Sequence, residues 1–237
     1  MAVARSYERA AAPGGDDATR STRSPQSPGS AHMTDTDVPS PIDLRLMSDA
    51  CEWERTAFEK RPWRTDFFAM FVDQLKHRQS EVRSVLELGS GPAFLARHLL
   101  GELPDLRMVL LDFSEAMHEL AKLRLGPLVS RVEFLTRNFK NSDWVQNLTP
   151  FDAVVTNQAV HELRHKRYAE ELHKQVRTVL RPGGTYLVCD HFSGEGGMSD
   201  AQLYMTVAEH KTALESAGYA SVSRLLSMGG LVLYSAT

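Results

Sequence analysis

The stretch Val85 to His98, Val-Leu-Glu-Leu-Gly-Ser-Gly-Pro-Ala-Phe-Leu-Ala-Arg-His, decides how the rest of the chain is read. A short apolar run ends at Glu87 and Leu88, two glycines follow, and the apolar residues beyond them recur at helical spacing. The order is therefore strand, tight turn, helix. Gly89 and Gly91 lack a Cβ, which admits unusual φ and lets a ligand lie against backbone N–H groups at the positive end of the following helix. Pro92 suits the first helical turn, where its missing N–H costs nothing.

A dinucleotide fingerprint places glycines at the first, third and sixth positions of such a turn. Here the sixth position is Phe94, whose ring argues against a helix hugging a pyrophosphate. Gly89, Gly91 and the small Ala93, with the acid Glu87 just before them, instead give a Gly-x-Gly-x-Gly/Ala pattern. That pattern resembles motif I of the class I S-adenosylmethionine (SAM) dependent methyltransferases. By that resemblance Glu87, Gly89, Ser90, Gly91 and Ala93 hold the cofactor, and further stretches follow in the family's order.

Composition narrows the function classes. A chain of 237 residues with 42% hydrophobic content can bury one sizeable core. A formal net charge of −3 gives no electrostatic footprint for general nucleic-acid binding, and a small molecule is the more natural partner. The two cysteines, Cys51 and Cys189, imply neither a disulfide framework nor a thiolate metal cluster, and they suit a reducing cytoplasm. No apolar stretch approaches the roughly 20 residues that cross a bilayer, and no signal core opens the chain, so the expectation is an unexported protein with no membrane partner.

Residues 1–40, rich in Ala, Ser, Pro, Gly, Arg and Asp, lack the bulky apolar groups that repay ordering, so a disordered tail is expected there, with Met33 as an alternative start. Asp16 and Asp17 argue against a transit peptide. Over 41–80 two helices broken at Pro62 are expected, carrying Leu46, Ala50, Trp53 and Ala57, then Phe67, Phe68, Phe71, Val72 and Leu75. In the family resembled, such helices pack over the cofactor as a lid. Trp63 and Arg64 of the cluster Arg61-Pro62-Trp63-Arg64 would close on the ligand, although a Trp anchored in the core explains Trp63 as well.

Within the core expected over 81–237, a helix over Phe94–Leu100 stopped by Gly101 and Pro104 leads into a second strand, Arg107 to Leu111, ending at Asp112. Asp112 stands near the spacing at which an acid reaches a ribose in doubly wound folds. A carboxylate accepts from both vicinal hydroxyls and repels a phosphorylated ribose. The resemblance extends through Asp112-Phe113-Ser114-Glu115-Ala116-Met117, which implies that Asp112 takes the ribose while Phe113 and Met117 flank the adenine. Ser114 can cap the helix and leave the acid free. After a third strand, Arg131 to Thr136, Asn138 and Phe139 stand where the family places an adenine contact, although Asn also serves turns that bind nothing.

A fourth strand, Phe151 to Thr156, leads into Asn157-Gln158-Ala159-Val160-His161-Glu162-Leu163, which looks like the family's motif IV and implies cofactor contacts from Asn157 and Gln158. A helix over Arg164–Leu180 ends at Arg181-Pro182-Gly183-Gly184. A fifth strand over Thr185–Asp190, a helix over Met198–Ala217 and strands over Ser221–Leu226 and Leu231–Ser235 complete the chain. The expected fold is α/β: a Rossmann-like doubly wound seven-stranded sheet, mostly parallel with a C-terminal antiparallel hairpin and helices on both faces.

His161-Glu162-Leu163-Arg164-His165 also matches the His-Glu-x-x-His signature of zinc hydrolases. It stands directly after a buried strand, with no third ligand at a recognisable spacing, so no metal is assigned. The expected function is SAM-dependent methyl transfer to a small molecule, with a catalytically silent SAM-binding or partner-binding module as the alternative. His161 and His191 leave the fourth and fifth strands at the sheet's carboxyl edge, where either can serve as a base for an O or N acceptor. The plainer alternatives are a helix cap or packing role for His161 and a satisfied carbonyl for His191.

Overall fold

The computed structural model describes residues 36–78 and 81–237. Most of the stretch expected as a tail, up to residue 35, lies outside the described residues. Helices α1 (Met47–Lys60) and α2 (Arg64–Lys76) come first. Then follow β1 (Ser84–Leu88), α3 (Phe94–Glu102), β2 (Arg107–Asp112), α4 (Glu115–Leu125), β3 (Val132–Thr136) and β4 (Phe151–Asn157). The C-terminal half adds α5 (Ala169–Thr178), β5 (Leu180–His191), α6 (Val207–Ser216), β6 (Val222–Met228) and β7 (Leu231–Ala236).

The strands form one sheet in the order β3-β2-β1-β4-β5-β7-β6. β1 to β5 pair in parallel, and β7 runs antiparallel to both β5 and β6. Strand order reverses between β1 and β4, which opens a crevice beyond their carboxyl ends. Both faces of the sheet are covered, so central strands read as near-continuous apolar runs. Leu86, Leu88, Val154 and Val188 point to the face packed by Leu172 and Val176 of α5 and Leu214 of α6. Their alternates Val85, Val155, Leu187 and Cys189 meet Phe67 and Phe71 of α2 and Leu95 and Leu99 of α3.

Several boundaries differ from expectation for local reasons. Ala93 takes a left-handed conformation, φ 59°, as the residue before α3, so Pro92 belongs to the turn rather than the helix. α3 runs through Gly101 to Glu102 and stops before Pro104. No continuous helix starts at Arg164. That residue has φ 67° and separates short 3₁₀ turns over Val160–Leu163 and Lys166–Tyr168, so α5 begins only at Ala169. β5 starts early because Leu180 already pairs with Phe151. The expected helix over 198–217 is confined to α6, fixed at its start by Thr206 and Glu209 in a reciprocal capping box.

Residues ahead of α1 are tied to the carboxyl edge of the sheet. Val38 N–H donates to Arg164 O at 2.8 Å. The Arg164 guanidinium donates back to the carbonyls of Val38 at 2.9 Å and Pro39 at 2.7 Å. Ser114 Oγ donates to Leu44 O at 2.5 Å. Among the described residues no helix is long and apolar enough to cross a membrane.

Candidate active site

A cavity of about 180 Å³ fills the crevice, walled by the Gly89–Gly91 turn, the end of β2, the segment after β4, and α1. The turn works differently from its sequence reading. Gly89 and Ser90 N–H both donate to Leu111 O, at 2.8 and 3.2 Å, and Gly91 N–H donates to Asp112 Oδ2 at 2.8 Å. These donors are committed to β2, so the turn contributes close approach rather than a cradle of free N–H groups. The two glycines differ in use. A Cβ on Gly89, φ +64°, would lie 2.3 Å from Ala159 Cβ, whereas one on Gly91, φ +51°, would meet nothing within 4 Å.

Asp112 is buried at the floor, accepting from Gly91 N–H and, at 2.9 Å, from Ser114 N–H. Burial raises its carboxyl to about 6 against the pull of these donors. Each oxygen retains a lone pair, as two vicinal hydroxyls require. Ser114 caps α4 by accepting from Met117 N–H at 3.1 Å, which leaves the acid facing the cavity. Glu87 is 2% exposed, and burial, with Asp112 beside it, pushes its carboxyl well above the usual range.

Phe113, Met117 and Phe139 supply an apolar wall, and Asn157 and Gln158 line the β4 side. Gln158 is left-handed at φ 58°, a strained conformation for a non-glycine residue. Its Oε1 accepts from Arg64 Nη2 at 2.6 Å, and Arg64 stacks 5.3 Å over the Trp53 ring. Burial and the charge of Arg61 lower Arg64 to about 10, still cationic at neutral pH.

Three expected residues are not brought in. Asn138 borders a neighbouring cavity of about 470 Å³ under Ser40–Arg45, and its Oδ1 accepts from Lys140 N–H at 2.9 Å, closing a local turn. Trp63 packs its indole on the β6–β7 turn, where a Cβ on Gly229 would fall 2.1 Å from Trp63 Cε2, so it is an anchor. Ala93 is buried behind the turn as a hinge rather than lining the cavity. In their place come Trp53, Lys60, Arg61, Phe94 and Glu162.

His161 and His191 do converge, with ring centroids 5.2 Å apart, and Tyr204 from the loop after β5 lies 5.5 and 5.6 Å from them. Asp190, 2% exposed, organises the pair. Its Oδ1 meets His161 Nδ1 and His191 N–H, each at 2.7 Å, and its Oδ2 accepts from His161 N–H at 2.7 Å. Glu162 Oε1 sits 3.3 Å from His161 Nε2. Burial opposes a charge on His161, yet Asp190 and Glu162 outweigh it and hold the imidazole up at about 10. Asp190 is correspondingly held down at about 2, because His161 overcomes the cost of its burial. His191 is the reverse case: burial, then the His161 charge, lower it to about 4. Its buried Nδ1 finds no partner among the described residues, so it satisfies no carbonyl there.

The zinc signature does not assemble. Left-handed Arg164 breaks the helix that would align the imidazoles, and His165 Nδ1 is spent accepting from Arg167 N–H at 3.1 Å. Among the described residues no group of three or more His, Cys, Asp or Glu side chains is placed to hold a metal ion.

Residues 85–184 match the model of a family described as a methyltransferase domain. Over those residues the chain is similar to methyltransferase domains. No curated protein sequence matches it. Solved structures share its fold, among them an O-methyltransferase family protein from Burkholderia thailandensis, with TM-score 0.63 and 18% identity over 80% of this chain and 59% of that one. Human N-acetylserotonin methyltransferase in complex with SAM gives TM-score 0.63 and 14% identity over 81% of this chain and 56% of that one. DhpI in complex with SAH gives TM-score 0.60 and 24% identity, over 81% of this chain and 95% of that one. The chain thus spans less than three fifths of the first two and nearly all of DhpI.

The family's cofactor fits the polar atoms of the cavity. Glu87 Oε2, Ser90 Oγ, Asn157 Oδ1, Gln158 Nε2 and Arg64 Nε are buried without partners among the described residues. Buried polar atoms normally find hydrogen bonds, and these line one cavity. A ligand with ribose hydroxyls, an ammonium and a carboxylate offers both donors and acceptors to them.

Proposed function

We propose that the chain transfers a methyl group from SAM to an oxygen or nitrogen of a small-molecule acceptor. One observation carries this reading: Asp112 with the glycine turn and the His161–His191 pair lie along one cavity at the switch point of the sheet. Asp112 takes the ribose, and Phe113, Met117 and Phe139 enclose the adenine. Asn157 and Glu87 receive the amino end, and Arg64, steadied by Gln158, takes the carboxylate. SAM supplies an electrophilic sulfonium methyl.

The residues then have two duties. α1 and α2 act as the lid that excludes water, with Trp53 as its inner face. At the acceptor end the histidines divide the work. His161, already protonated through Asp190, acts as a fixed positive charge, whereas neutral His191 offers Nδ1 to hold or remove the acceptor's proton. The free cysteines, exposed Cys51 and buried Cys189, suit a reducing cytoplasm.

Incubation with methyl-labelled SAM and a panel of small O- and N-acceptors tests the proposal. Transfer of label with matching SAH release supports it. Tight SAM binding with no transfer to any acceptor class would favour a silent binding module.

A further inference from the structure

Three cationic side chains, Lys60, Arg61 and Arg64, reach the cavity from the corner between α1 and α2. The methyl donor brings one carboxylate, and one planar guanidinium satisfies one carboxylate in bidentate fashion. Arg64 is the guanidinium fixed for that task, being 5% exposed and held by Gln158 Oε1. Arg61 is left over. Its Nη1 donates to Lys60 O at 2.8 Å, but its Nε is buried with no partner among the described residues.

Among the described residues, the acids beside the two histidines are engaged elsewhere. Asp190 accepts from His161 N–H and His191 N–H and pairs with His161 Nδ1. Glu162 is divided between His161 Nε2 at 3.3 Å and Arg164 Nη1 at 3.4 Å. His191 Nδ1 is another buried atom without a partner among the described residues, and the positive charges of Arg61 and Arg64 help burial keep its ring neutral. Arg61 is only half-buried, but its buried Nε calls for an acceptor, and a bound anion would supply one.

We propose that the acceptor carries an ionised oxyacid group, a carboxylate or a phosphorus oxyacid, which Arg61 and Lys60 clamp beside His191. This rests on the methyltransferase reading, because that reading assigns Arg64 to the donor.

The test is calorimetric titration of benzoate, phenylphosphonate and neutral benzyl alcohol into the SAH-loaded protein, for wild type, Arg61→Gln and Arg61→Lys. The anions should bind wild type about tenfold or more tighter than the alcohol, the gain expected of a charge-assisted contact. Arg61→Gln should lose that preference with SAH affinity unchanged, and Arg61→Lys should regain part of it. The ratio of benzoate to phenylphosphonate affinity tells which oxyacid is preferred. Equal binding of anions and alcohol, or a preference that survives in Arg61→Gln, overturns the proposal. So does an Arg61→Gln protein that loses affinity for SAH but not for 5′-methylthioadenosine, since Arg61 would then hold the donor's carboxylate. If wild type binds no SAH, the donor reading itself falls and this proposal with it.

Discussion

The ribose role proposed for Asp112 links burial to ligand binding. Burial raises its carboxyl to about 6, while hydroxyl donors on a bound ribose favour the ionised form. Below that pH the proton must be removed before the hydroxyls can be accepted, so SAM affinity should weaken as pH falls below about 6 and level off above it. Calorimetry between pH 5 and 8 checks this, and a flat profile would remove Asp112 from the ribose role. The Asp190–His161 pair gives a second prediction. His161 is raised from an ordinary 6.5, so its contribution to stability is complete below about 6.5 and lost as pH climbs through about 10. Asp190 is lowered from 3.8, so its contribution is present above about 3.8 and lost as pH falls through about 2. Breaking a buried pair costs about 3 to 5 kcal/mol, and Asp190→Asn should lose an amount near the lower end of that range at neutral pH. Imidazole NMR should also show His161 titrating far lower in the variant. An unchanged titration would mean that Asp190 does not set its charge.

Among the elements, the glycine turn was legible in sequence, because only a residue without Cβ tolerates both positive φ and close approach. What each glycine approaches was not, since Ala159 comes from the segment after β4, the strand beside β1 but more than sixty residues later. Gly89→Ala should destabilise severely, by overlap with Ala159 as well as by strain. Gly91→Ala has room and should cost only about 1 to 2 kcal/mol of backbone strain, while its methyl weakens SAM binding. Melting curves with and without SAM separate the two, and equal loss of stability in both would contradict the distinction. The corner between α1 and α2 was legible only in part. Pro62 marked the break, but Arg64 N–H donates to Arg61 O at 3.2 Å, a tight turn in which Arg61 and Arg64 reach the cavity while Trp63 turns to Gly229. Residues three apart share a side in such a turn, which brings Arg61 to the cavity beside the expected Arg64. Left-handed Arg164 left no sequence signal, because its conformation answers to the carbonyls of Val38 and Pro39 more than a hundred residues earlier.

For the whole molecule, apolar runs with both faces covered made the doubly wound sheet readable, and the closing Gly-Gly turn made the antiparallel hairpin readable. Strand order then brings distant segments to one edge: the turn after β1, the acid ending β2, the histidine after β4 and the histidine ending β5. Asp190's grip on His161 depends on that juxtaposition and not on local pattern, so only the position of the two histidines was available from the chain. The central claim is that these pieces form one SAM site, and titration calorimetry of SAM into wild type and Asp112→Ala tests it most directly. Wild type should bind at one site, and the variant should stay folded and lose about 1 to 3 kcal/mol of binding, the range for hydrogen bonds to a charged group. No binding heat in wild type, or equal affinity in the variant, would contradict the account.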